Sequence, residues 1–184
     1  MADIQHSTVV SANPVDTTPH VLDGVVNAIA VVGQKVIVGG EFTQVRNAAA
    51  NSQTISRTNL FAYDRMTGQI DQNFVPQVDG VVSSLETGAN GTVYVGGLFN
   101  TVNGQTARRL TQLNVANGTR NQTFTRAQVN FGDIFTIVRR ANHLYIGGRF
   151  DTVTDTVTGA QRHILARLDA ESGAIDTNFN ITVS

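Results

Sequence analysis

The sequence predicts an all-β fold made of β-propeller blades: three four-stranded antiparallel repeats, each about 50–57 residues long. Three observations lead to this prediction. A Gly-Gly pair recurs three times inside strand-like segments, three further markers recur with it in a constant order, and no window has the 3.6-residue periodicity of a helix.

The glycine pair stands in VIVGGEF (36–42), VYVGGLF (93–99) and LYIGGRF (144–150), at successive separations of 57 and 51 residues. Each unit also has an opening glycine, a leucine-led segment ending in Asp or Asn, and a later glycine six residues before a phenylalanine. A parallel β-helix needs a shorter period, and an immunoglobulin-like sandwich does not repeat within itself. The pattern therefore favours propeller blades.

Each repeat divides into four short strands. The first follows the opening glycine, the second contains the glycine pair, the third ends at the Asp or Asn, and the fourth runs to the phenylalanine. The expected organisation is an N-terminal extension or closing strand at 1–23, blade 1 at 24–79, blade 2 at 80–131 and blade 3 at 132–184. The segment STVVSA, residues 7–12, is a candidate for the closing strand.

The glycine pair invites a structural interpretation. Because side chains alternate along a strand, Gly97 shares a face with Phe99, and we expect this second glycine to let the neighbouring blade approach. The first glycine, Gly96, lies on the other face and is expected to permit a bulge or a strong twist. A phosphate-binding glycine loop is the alternative, but it requires a following helix, and none is predicted. The same alternation places Phe99 and Phe150 in the core.

Composition excludes several classes of function. The chain has 184 residues, 41% of them hydrophobic, which suits a folded domain and not a disordered one. Its net charge of −1 gives no field that would recruit nucleic acid. The absence of cysteine excludes disulfides, thiolate metal sites and a cysteine nucleophile. No apolar run approaches the ~20 residues of a membrane helix, so membrane insertion is not expected.

Candidate ligand-binding residues lie in the connection between the second and third strands, whose length varies most, at 14, 7 and 11 residues. Arginine and asparagine there suit sugar hydroxyls or carboxylates, whereas the alternative is that they brace the blades. The eight candidates are Arg46, Asn51, Arg57, Asn103, Arg108, Arg109, Arg162 and His163.

No catalytic residue, metal ligand or cofactor is predicted. The four histidines lack metal-binding spacing, there is no Gly-x-Ser-x-Gly elbow, and no acidic pair stands out. The recurring Asp71-x-Asn73, Asn121-x-Thr123 and Asp176-x-Asn178 contain oxygen ligands suitable for calcium, but these residue types are equally those of ordinary turns.

The motifs resemble the delta-60-repeat β-propeller family of bacterial, mostly secreted proteins. VYVGGLFNTVNG (93–104), HILARLDAESG (163–173) and FVP (74–76) fit its pattern closely, whereas Asn114 departs from the aspartate found in the other two units. The resemblance covers 24–184. It implies an extracellular or cell-surface propeller, often attached to carbohydrate-binding or surface-anchoring domains, and it implies no known reaction.

Three functional hypotheses remain open. The first is a non-catalytic, secreted or surface propeller module that binds a glycan or protein through its loops or central face. The second is a structural unit that self-associates into a closed ring or belongs to a longer array, because three blades are fewer than the four to eight that close a propeller. The third is a polysaccharide lyase or hydrolase.

Overall fold

The computed structural model describes residues 17–179, and over this range the chain is all-β, with strands joined by turns and no helix. The segment 7–12, considered as a closing strand, lies outside the described residues. The strands are β1 (His20–Val21), β2 (Val25–Val32), β3 (Lys35–Glu41), β4 (Gln44–Arg46), β5 (Thr54–Ser56), β6 (Leu60–Asp64), β7 (Val81–Thr87), β8 (Thr92–Leu98), β9 (Thr101–Val102), β10 (Gln105–Thr106), β11 (Leu110–Asn114), β12 (Ala127–Arg140), β13 (His143–Asp155), β14 (Gln161–Arg162) and β15 (Leu165–Asp169).

These strands form three repeated antiparallel sheets, one in each predicted repeat. We call the repeats unit 1 (β2-β3-β6), unit 2 (β7-β8-β11) and unit 3 (β12-β13-β15). In each, the strand with the glycine pair lies at the centre. Two small sheets, β1-β4-β5 and β9-β10, are built on the connection between the second and third strands. The predicted all-β, antiparallel repeat architecture is confirmed.

The fourth strand of each unit is reduced to a single β-bridge. The bridges pair Tyr63 with Ile70, Leu113 with Arg120, and Leu168 with Ile175. One residue beyond each bridge, an Asp or Asn side chain accepts hydrogen bonds from the backbone two residues further on. Such a turn diverts the backbone from the sheet, which explains why the fourth strand is shorter than the sequence pattern predicts.

A β-bulge recurs in the first strand of every unit, opposite the glycine pair. In unit 2 the register passes from Val82 paired with Gly97 to Ser84 paired with Gly96, which leaves Ser83 unpaired. The same shift occurs at Asn27 and Phe135. The bulge inserts one extra residue, so it re-aims the side chains on either side of it.

The structure reverses the roles expected for the two glycines. A Cβ on Gly96 would lie 2.8 Å from both Ile134 Cγ2 and Ile137 Cδ1 of unit 3, so the first glycine is the one that admits the neighbouring unit. A Cβ on Gly97 would lie 2.1 Å from the carbonyl oxygen of Val81, so the second glycine makes room for the bulged strand of its own unit. The expectation was wrong because the bulge lies in the first strand and pushes its backbone towards the second glycine.

The hydrophobic core lies mainly between units. Ile37 and Leu60 of unit 1 form one cluster with Val93 and Phe99 of unit 2. Tyr94 and Leu110 of unit 2 form a second cluster with residues of unit 3 that include Ile134, Leu144 and Phe150. Both phenylalanines predicted to be in the core are buried.

A buried carboxylate fixes the long hairpin of unit 3. Asp155, which is 1% exposed, accepts hydrogen bonds from Arg126 Nε at 3.1 Å and Nη2 at 2.8 Å. Burial acts to raise the pKa of Asp155. The backbone amides of Val157, Thr158 and Ile175 and the Arg126 guanidinium outweigh burial and hold this pKa below its ordinary value.

We expect Asp155 to make the stability of the fold sensitive to acid. An unfolded aspartate has a pKa of about 3.9, so the stabilisation is fully present above that pH and is lost as the pH falls through the lower folded value. Asp155→Asn is expected to lower the free energy of unfolding at pH 7 by about 1.5–3 kcal/mol, and to cost less at pH 3. Urea unfolding at both pH values measures this. Asp151→Asn, at an exposed carboxylate, is the control. An equal cost at both pH values would contradict the assignment.

Candidate binding surfaces

The eight sequence-predicted binding residues lie in the connections between the second and third strands, and three of their arginines brace the sheets. Arg109 donates from Nε to the Gly132 carbonyl at 2.8 Å, which joins unit 2 to unit 3. The buried Arg57 donates to Gln72 Oε1 at 3.0 Å. Arg162 donates to the carbonyl oxygens of Phe179 at 3.1 Å and Thr177 at 2.9 Å.

Two other candidates also make internal contacts. Asn103, at a φ of +54° in the turn between β9 and β10, accepts from the Gln77 amide at 2.8 Å and donates to the Gly118 carbonyl at 3.0 Å. Arg108 donates to Gln128 Oε1 at 3.1 Å. The bracing alternative considered for the sequence therefore describes the contacts of five of the eight residues.

The remaining three candidates do not converge on one unit. Arg46 in β4 and Asn51 in an exposed turn belong to unit 1. His163 belongs to unit 3, where its Nδ1 lies 2.8 Å from the Asp151 carbonyl oxygen. Ligand contact by these eight residues stays a prediction.

A polar cleft of about 460 Å³ lies between units 2 and 3. Its lining includes Thr92, Gln112 and Asn121 of unit 2 and Arg139 and Glu171 of unit 3. Both walls are formed by sheet strands and the tight turns between them, so their side chains are held on rigid elements.

The unit 2 wall of the cleft is a chain of side-chain hydrogen bonds. Asn121 Nδ2 donates to Gln112 Oε1 at 2.5 Å, and Gln112 Nε2 donates to Thr92 Oγ1 at 2.9 Å. Thr92 Oγ1 in turn donates to the Ala89 carbonyl at 2.6 Å. Each bond fixes the orientation of the next group, so the wall presents amide groups in a defined order.

The unit 3 wall contributes an arginine. The Nε atom of Arg139 is buried and has no hydrogen-bond partner among the described residues. Beside it, the hydroxyl of Tyr94 donates to the Ala170 carbonyl at 2.5 Å, and burial raises the pKa of Tyr94. The tyrosine therefore stays neutral near pH 7.

The residues at the cleft differ from those at the equivalent place in the other interface. At the equivalent place between units 1 and 2, Lys35 forms an ion pair with Asp71 and donates to the Val115 carbonyl at 2.8 Å. The positions that correspond to Lys35 and Val115 in the next interface are Thr92 and Ala170. Sequence reasoning missed the cleft, although comparison of these positions across the aligned repeats contained the signal.

The Asp/Asn motifs considered for calcium form turns. Asp71 Oδ1 accepts from the Asn73 amide at 2.7 Å, and Asn121 Oδ1 accepts from the Thr123 amide at 3.0 Å. Across 17–179, no group of three or more His, Cys, Asp or Glu side chains is arranged to hold a metal ion. The same range contains no helical segment with the length and apolar character of a membrane span.

Comparison with known proteins addresses the fold. A family model described as a domain of unknown function (DUF5122), beta-propeller, matches residues 88–124, which include β8 and β11 of unit 2. No curated protein matches the chain.

Three solved structures illustrate the similarity. The computationally designed Ika4 protein is 14% identical, with a TM-score of 0.46, over 83% of this chain and 89% of Ika4. The designed Ika8 protein is 16% identical, with a TM-score of 0.46, over 82% of this chain and 44% of Ika8. BamB from Moraxella catarrhalis is 12% identical, with a TM-score of 0.28, over 87% of this chain and 77% of BamB.

The family match and the structure agree on the architecture. The matched segment contains two of the three strands of unit 2, which is one of three sheets that share strand order, direction and bulge position. The delta-60-repeat name stays a resemblance. The chain is an all-β protein built from β-propeller repeat units.

Proposed function

We propose that this protein is a non-catalytic β-propeller module that binds a hydroxyl-rich ligand, a short glycan, in the cleft between units 2 and 3. The observation that supports this proposal most directly is that the amide wall of unit 2 and Arg139 of unit 3 line the same cleft. The proposal moves the ligand away from the connections between the second and third strands, where arginines brace the sheets.

The chemistry of the cleft suits a sugar. A sugar hydroxyl both donates and accepts, as do the side-chain amides of Gln112 and Asn121. The planar guanidinium of Arg139 presents several donors in a fixed geometry. A volume of about 460 Å³ lies within the ~300–1,000 Å³ range of small-molecule sites.

Arg139→Ala is expected to weaken glycan binding at least about tenfold, which corresponds to about 1.4 kcal/mol, because it removes the charged donor of the cleft. Binding is measured by calorimetric titration with a panel of neutral and uronic acid-containing oligosaccharides. The control is Arg140→Ala, at the adjacent exposed arginine, whose Nη1 donates to the Arg139 carbonyl. Equal weakening by both variants, or no glycan bound by the unmodified chain, would overturn the proposal.

Recovery of the oligosaccharides after incubation with the protein distinguishes binding from catalysis. Chromatography of each oligosaccharide after incubation is expected to recover it intact. Release of shorter products would instead favour a polysaccharide lyase or hydrolase.

We also propose an extracellular or cell-surface location, which rests on the resemblance to mostly secreted propellers. Fractionation of cells that express the natural gene tests it, with recovery in the medium or on the cell surface expected. Recovery in the cytoplasmic fraction would contradict it.

A further inference from the structure

The two interfaces inside the chain use one repeated contact. Two first-strand side chains of the following unit, one on each side of the bulge, cover the first glycine of the preceding unit. A Cβ on Gly39 would lie 2.4 Å from Val82 Cγ1 and 3.3 Å from Leu85 Cδ1. Gly96 is covered in the same way by Ile134 and Ile137. The contact joins a pair of apolar knobs to a hole left by a missing side chain.

Unit 1 carries the knobs of this contact, and within residues 17–179 no hole receives them. Val26 and Ile29 occupy the positions of Val82 and Leu85 beside the bulge. They are 42% and 62% exposed, whereas Val82 is fully buried. We call the surface formed by Val26 and Ile29 the unit 1 end face.

Unit 3 carries the hole, and no knobs from the described part of the chain fill it. A Cβ on Gly147 would lie 3.1 Å from Thr136 Cγ2 of the same unit, and no atom of another unit is among its near neighbours. Leu165, at the start of the third strand, is 38% exposed, whereas its counterpart Leu60 is fully buried. We call the surface formed by Gly147, Ile164 and Leu165 the unit 3 end face.

Ile164 also distinguishes the unit 3 end face from the two interfaces inside the chain. Its counterparts Asn59 and Arg109 share its left-handed backbone and donate to carbonyl oxygens. Asn59 donates to Val78, in the segment that leads into unit 2, at 3.3 Å, and Arg109 donates to Gly132 of unit 3 at 2.8 Å. Ile164 has a φ of +62° and is 54% exposed. A β-branched residue is strained in this conformation, and the exposed apolar side chain gains no compensating contact from the residues that the structure describes.

We propose that the unit 1 end face of one copy of this chain docks on the unit 3 end face of a second copy, with Val26 and Ile29 covering Gly147. The partner is a second copy because the two end faces are the separated halves of an interface that the chain already forms twice. Two copies related by a twofold axis make this contact twice and close a ring of six units, within the range of four to eight found in propellers. The inference concerns assembly and does not depend on a ligand in the cleft.

Native mass spectrometry of the full chain tests this assembly, with a mass of two chains expected. Ile29→Asp is expected to raise the dimer dissociation constant at least about 100-fold, because it places a charge in an apolar contact. Val157→Asp, at an exposed apolar residue in a turn of unit 3, is the control and should leave the dimer intact.

Substitution of the glycines separates association from folding. Gly147→Ala places its Cβ against Thr136 with little displacement in the single chain, so it should weaken the dimer while the monomer keeps the melting temperature of the unmodified chain. Gly96→Ala collides with unit 3 of the same chain and should lower the melting temperature at every protein concentration.

Mixing two variants tests the direction of docking. Ile29→Asp and Gly147→Leu each block one end face, so each variant alone should be monomeric, whereas a mixture retains one matched pair of faces and should give a one-to-one dimer. The proposal would be overturned by an unmodified chain that stays monomeric at its highest soluble concentration, by a dimer that survives both variants, or by a ring or polymer with more than two copies.

Discussion

Replacing Phe99 or Phe150 by alanine is expected to lower the free energy of unfolding by about 3–5 kcal/mol. Both rings belong to the apolar clusters between units, and their side chains are 0% and 2% exposed. Truncation removes the apolar area of the ring and leaves a cavity that the surrounding sheets fill only in part, because the hydrogen-bonded strands on each side resist collapse. Equilibrium unfolding in urea gives the difference directly.

The chain contains a matched control for this prediction. Phe131, at the start of the bulged region of β12, is 76% exposed. Phe131→Ala is expected to change the free energy of unfolding by less than about 0.5 kcal/mol, as is usual for surface substitutions. If Phe99→Ala and Phe131→Ala had similar effects, the placement of the core between the units would be wrong.

Gly97→Ala is expected to lower the free energy of unfolding by about 3 kcal/mol or more, at or above the upper end of ordinary overpacking. The new Cβ would lie 2.1 Å from the carbonyl oxygen of Val81 and 3.0 Å from the Cα of Val82. Both obstructing atoms belong to the backbone, so no rotamer change relieves the collision. Relief requires the bulged strand to move, and that strand carries Val82 into the core between units 1 and 2.

Gly91→Ala separates this collision from the conformational cost of losing a glycine. Gly91 has a φ of +69°, but an added Cβ meets no atom within 4 Å. Its substitution should cost only the left-handed backbone penalty of about 1–2 kcal/mol. Urea unfolding of both variants is the measurement, and equal costs would show that the close approach of the bulge contributes nothing.

The repeat architecture could be predicted because its signals are local and occur three times. The strands around the glycine pairs, the antiparallel sheets and the burial of Phe99 follow from alternation and from the spacing of markers. The fourth strand was overestimated, because its sequence signal includes turn residues such as Asp71, whose side chain diverts the backbone after one bridge.

The roles of the two glycines in each pair could not be predicted from the local sequence. Alternation places Gly96 and Gly97 on opposite faces, but it does not say which face meets a bulge in another strand. Val82 and Leu85 are three residues apart, which departs from the even spacing of residues on one face of a strand. This spacing can be attributed to a bulge in the first strand only when the register with β8 is known.

The polar cleft could not be predicted from motifs, because its lining residues come from two units and form no continuous motif. Thr92 and Ala170 are unremarkable residues in themselves. The equivalent positions in the other interface hold Lys35 and Val115, where Lys35 donates to the Val115 carbonyl. Recognising such a site requires the three-dimensional equivalence of the units.

The contacts between units carry an evolutionary consequence. Lys35, Tyr94 and Arg109 each donate from one unit to a main-chain oxygen of the next, an acceptor that every amino acid supplies. The specificity of these bonds therefore depends on the donor residues, because the acceptor side chain takes no part in the bond. A duplicated unit can therefore be inserted into such an array, or drift in sequence, before any compensating change arises in its neighbour.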